Sequence, residues 1–87
     1  MFRKGDRFEA TSDVRAKCLV IRPVPFTDGF ETTIPRGTIL VVSHDLVDGA
    51  TAVACQPETV LWKFARYREY QLMIKVSEFD VSLRRLD

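Results

Sequence analysis

The chain is short of the residues from which active centres are usually built. It has one histidine and two cysteines among 87 residues. His44 stands beside Asp45, but no serine or cysteine motif of nucleophilic type accompanies it. A general base needs a nucleophile or a water held within about 3 Å and shielded from solvent. His44 therefore reads as a solvent-exposed histidine at a strand end. Cys18 and Cys55 lie far apart in apolar surroundings, without metal-type spacing and without the numbers for a disulfide framework. They read as buried free thiols of a reducing cytosol. Gly5, Gly29, Gly37 and Gly49 never come close enough in sequence to form a phosphate-cradling loop. Glu9, Asp13, Glu31, Asp45, Asp48 and Glu78 read as solvated carboxylates at strand ends rather than as acid–base pairs. No enzymatic activity, catalytic residue, metal ligand or cofactor is expected.

Other absences narrow the setting. No apolar run approaches the roughly 18 residues of a membrane span. The segment Met1-Phe2-Arg3-Lys4-Gly5-Asp6 is charged with no apolar stretch after it, unlike a secretory signal. A cytoplasmic location is the expectation. Thirteen Lys and Arg against twelve Asp and Glu leave a net charge of +1. That lacks the basic excess behind strong general attraction to nucleic acid, so nucleic-acid binding is disfavoured.

What is present is a string of short β-strands in one domain. The central one runs from Thr38 to His44, opened by the turn Pro35-Arg36-Gly37. Its five consecutive β-branched or aliphatic residues suit a strand buried on much of both faces and are too few for a helix. Before it, Asp6–Ala10 alternates charged with apolar residues, after a loose end at residues 1–5. Val14–Ile21 sets Ala16, Cys18 and Val20 on one face. Arg22 to Phe26 carries two prolines that would remove ladder donors, so it reads as an extended edge segment. The turn signal Asp28-Gly29 then brings Phe30–Ile34 back, making residues 14–34 a hairpin-like arm with Phe26 and Phe30 at its tip. Thr51–Cys55 is a further core strand. Pro57, followed by Val60, Leu61, Phe64 and Ala65 at i, i+1, i+4 and i+5, predicts a short amphipathic helix over 58–67. Glu69–Val76 and Val81–Leu86 return to strand, separated by one 3₁₀ turn at Ser77–Asp80. Leu40, Val42, Val53, Leu72, Ile74 and Val81 are the expected core.

Taken in order, and with Ile34 to Val42 as the closest local match, this arrangement resembles the SH3-like small barrel. The resemblance implies an all-β fold: a partly open barrel of five to six strands, with one short helix between the third and fourth core strands. It does not imply the peptide groove of that family. The positions of its aromatic ridges hold Arg7-Phe8-Glu9-Ala10, Thr51-Ala52 and Glu78-Phe79-Asp80, and a polyproline helix has nothing to dock between. No aromatic cage for methyl-lysine is present either. The whole chain also resembles a group of small bacterial proteins without assigned function.

Two stretches remain as candidate contact surfaces for a protein partner or for self-association. One is the arm, where Phe26 and Phe30 either fold back onto the barrel or project. The other is the helix edge, where Trp62, Arg66 and Arg68 mix aromatic and basic character. The ordinary reading of the second packs Trp62 against the barrel and leaves the arginines to solubilise the helix. The alternative is a base-stacking, phosphate-binding face.

Overall fold

The computed structural model describes residues 2–22 and 29–86. Its strands are β1 (Arg7–Ala10), β2 (Val14–Arg22), β3 (Phe30–Ile34), β4 (Ile39–Val42), β5 (Ala52–Pro57), β6 (Glu69–Lys75) and β7 (Leu83–Leu86). All seven join one antiparallel sheet in the order β3-β2-β6-β5-β4-β1-β7. The fold is thus all-β, and the count exceeds five to six because the arm is itself part of the sheet. β2 pairs with β3 from Val14↔Ile34 to Cys18↔Phe30, and its other edge pairs with β6 from Lys17↔Met73 onward.

Alternate residues explain why such a sheet curls. Phe8, Val14, Cys18, Ile34, Leu40, Val42, Val53, Cys55, Leu72, Ile74 and Leu83 all belong to a single buried cluster. Laid flat, seven strands would span about 29 Å and leave that apolar face in water. Coiling brings the face onto itself, and burial of so much hydrocarbon is the main force holding the domain together. Among the described residues no ladder joins the two edge strands, so the sheet stays open between β3 and β7. The exposed Arg84 and Arg85 of β7 discourage a second chain from adding there.

The helical segments fall differently from the sequence reading. At 58–67 there is only a 3₁₀ turn, Trp62–Phe64, while the α-helix, α1, spans Val76–Val81, where a 3₁₀ turn was expected. The ladder is the reason for the first. β5 continues through Pro57, paired with Leu40, and Glu58 N donates to Ile39 O at 2.8 Å. The remaining link to Glu69 gives only Phe64 a place in the core, too little to offset helix nucleation. Continuing the β5–β6 register would set Pro57 opposite Tyr70. Pro57 has no N–H to offer, and Gln56 Nε2 donates to Tyr70 O instead, at 2.9 Å.

Val81 is not core: it ends α1 and is 78% exposed, because the last strand starts only at Leu83. The other five expected core residues are buried. Residues 2–5 are tied down rather than loose. Phe2 stacks edge-on against Phe79 at 4.6 Å and lies 5.6 Å from Phe8, and Gly5 N donates to Val42 O.

Candidate interaction surface

The link between β5 and β6 is fixed at several points. Phe64 is fully buried, with its ring 5.2 Å from that of Tyr70. Phe64 N, Ala65 N and Tyr67 N donate in sequence to the carbonyls of Leu61, Trp62 and Phe64. Arg68 N reaches Arg22 O at 3.2 Å, and the Lys63 ammonium donates to Thr33 O on the edge strand β3.

A 3₁₀ helix turns about 120° per residue, so the side chain two positions from a buried one leaves the core. Phe64 points in, and Trp62 is 87% exposed. The reading that packs Trp62 against the barrel is overturned: Phe64 is the residue of this turn that enters the core. Val60 beside it is 62% exposed, and Leu61 is half-buried.

The two candidate stretches meet here. The Arg66 guanidinium lies 5.3 Å from the Tyr67 ring centre, and Arg66 Nη2 donates to Tyr67 Oη at 3.3 Å. The Tyr67 ring is 6.2 Å from that of Phe30 and 6.3 Å from that of Tyr70. Phe30 is half-buried, neither projecting nor lost in the core. Phe26 and the Asp28 turn position lie outside the described residues. Arg66 and Phe30 thus meet through Tyr67, from segments far apart in sequence, and Trp62 is exposed on the same link as Arg66.

Charge on this surface is uneven. Glu58 is engaged by Arg7, with Arg7 Nε and Nη2 donating to its two oxygens at 2.7 and 3.0 Å. Glu69 is engaged by Arg22 at 3.0 Å. The guanidinium groups of Arg36, Arg66 and Arg68 have no acidic partner among the described residues, while the Arg36 N–H donates to Asp13 Oδ1 at 3.1 Å. Arg36 also walls a shallow groove of about 390 Å³ that runs between the Arg36–Ile39 turn and Glu58–Leu61.

Elsewhere the chemistry is sparse. His44 is exposed in the loop after β4, next to Asp45, whose Oδ1 accepts the Lys4 N–H at 2.7 Å. Cys18 and Cys55 are both free and buried, on opposite sides of Leu72 in the row β2-β6-β5. Two strand spacings, about 10 Å, separate them, beyond the reach of a disulfide. Burial pushes the Cys55 thiol up to about 12 and raises Cys18, so neither is a thiolate nucleophile near neutral pH. Among the described residues no three His, Cys, Asp or Glu side chains gather as a metal site, and no helix is long and apolar enough to cross a membrane. No protein-family model, no curated protein and no solved structure matches the chain.

The sequence reading missed the junction of Tyr67 with Phe30 and the groove beside Arg36. Nothing local signals either, because both depend on which strands become neighbours.

Proposed function

We propose that this protein is a non-enzymatic interaction module that binds a protein partner through the surface centred on Trp62. The observation that carries the reading is the exposure of Trp62 next to Val60 and Leu61, on a link whose exposed Arg66 and Arg68 have no acidic partner among the described residues. A tryptophan in water forgoes more apolar burial than any other side chain, and Trp, Tyr and Arg dominate the anchors of protein interfaces. Phe64, Lys63 and Tyr67 hold the turn in place, so little ordering entropy is lost on contact.

The strand succession β7-β1-β4-β5-β6, with a long hairpin after β1 and one helical turn before β7, supports the likeness to an SH3-like barrel. The surface put forward here lies on the β5–β6 link, so its mode of binding would be its own. Two buried free thiols fit a cytoplasmic setting.

A second reading, single-stranded nucleic acid, is favoured by the same mixture of rings and arginines. Near-neutral net charge and the two glutamates within the surface count against it. Affinity capture from cell extract with the parent protein and with Trp62→Ala tests the first reading. Partners held by the parent and lost by a variant of unchanged melting temperature support it. Equal capture by both sinks it. A submicromolar, salt-resistant complex with an oligothymidylate, abolished in the same variant, moves the surface to the second reading.

A further inference from the structure

We infer that the Trp62 surface receives the loop Asp45-Leu46-Val47-Asp48 of a second copy of this chain. The inference rests on the reading of Trp62 as a contact residue and adds the identity of one occupant. The loop is built to display one apolar side chain between two acids. Leu46 is half-buried and its N–H donates to Phe2 O at 3.1 Å, Asp45 Oδ1 holds the Lys4 N–H, and Ala50 N closes the turn on Val47 O at 2.9 Å. With the backbone fixed in this way, Val47 is left 73% exposed. Asp48 makes no hydrogen bond or ion pair among the described residues.

The β5–β6 link is the complement: it carries exposed apolar Val60 and Trp62 and, on the same short segment, exposed Arg66 and Arg68, which lack acidic partners among the described residues. One chain cannot satisfy itself. The loop precedes the first residue of β5 and the Trp62 link follows its last, so the two features sit at opposite ends of a strand roughly 17 Å long. Joining them needs two molecules, which either exchange loop for surface reciprocally in a two-fold pair or repeat the contact head to tail. Its charged component weakens as salt rises.

Sedimentation equilibrium over a range of protein concentrations, at low and high salt, tests this. The parent should exceed its monomer mass of 10.0 kDa progressively as concentration rises, less so at high salt. Asp45→Lys/Asp48→Lys makes both loop and Trp62 surface basic, and Arg66→Glu/Arg68→Glu makes both acidic. Each variant alone should associate roughly tenfold or more weakly. An equimolar mixture should recover association, because each loop then faces an opposite charge on the other variant. If either double variant melts differently from the parent, Asp48→Lys and Arg68→Glu replace them, since neither side chain bonds to another among the described residues. A parent that stays monomeric, or a mixture no better than its components, overturns the inference. Association abolished by Trp62→Ala but indifferent to loop charge also overturns it, and leaves Trp62 as a contact for some other partner.

Discussion

Two aromatic residues two positions apart should respond oppositely to the same truncation. Phe64 is buried to 1% exposure and packs on Tyr70, so Phe64→Ala removes a large core side chain and leaves a cavity. Such changes cost about 3–5 kcal/mol. An 87-residue domain is stable by roughly 4–13 kcal/mol, so much of the total is at risk. At about 4–8 °C per kcal/mol for this size, the melting temperature should fall by roughly 12–40 °C. Trp62→Ala removes a side chain that already sits in water and should stay within about 0.5 kcal/mol of the parent. Far-UV circular dichroism with heat or urea is the suitable assay. Fluorescence is not, because the one tryptophan is solvated before unfolding as well as after. A Trp62→Ala variant destabilised by more than 1 kcal/mol, or a Phe64→Ala variant that melts like the parent, would refute the placement of this turn.

Leu40, wholly buried on β4, should lose about 2–5 kcal/mol on replacement by Ala, read as a drop in the urea midpoint. Cys18 and Cys55 should resist a thiol reagent in native buffer and both react in denaturant, with reductant leaving the melting curve unchanged. The Asp6 carboxyl is held below its usual 3.8, first by its hydrogen bond from Arg85 and then by the Arg3 N–H. A folded value below the unfolded one stabilises at pH above 3.8, and the gain is lost as pH falls through the lowered value. Asp6→Asn should therefore flatten the acid limb of the stability profile and leave its shape above pH 5 alone.

The strands were legible because their signal is local. Val14, Ala16, Cys18 and Val20 alternate with Arg15 and Lys17, and Tyr70, Leu72 and Ile74 alternate with Gln71 and Met73, as the burial of β2 and β6 repeats. The helical segments were not legible, because their outcome is set by distant partners. Val60, Leu61, Phe64 and Ala65 match a helical face, but the pairing of Pro57 with Leu40 takes the start of that segment into the sheet. Val76–Val81 begins with a β-branched residue and has no side-chain cap, so it carries little helical signature. Phe79, buried against Phe2 and Phe8, anchors it instead. Of the candidate surface, Trp62 and Arg66 could be named from their composition. Which way Trp62 faces, and that Phe30 lies one ring away from Arg66, follow from packing across the chain.

The place of β1 between β4 and β7 sets an order of events during synthesis. A chain made from its N-terminus releases Arg7–Ala10 first and Leu83–Leu86 last, roughly 70 residues and, at ribosomal rates, about 4–15 s later. Until then one edge of β1 has no ladder, and Phe8 lacks the Phe79 ring that covers it in the finished fold. The nascent domain must spend those seconds with its first strand half-matched. A stalled or truncated chain would remain in that state.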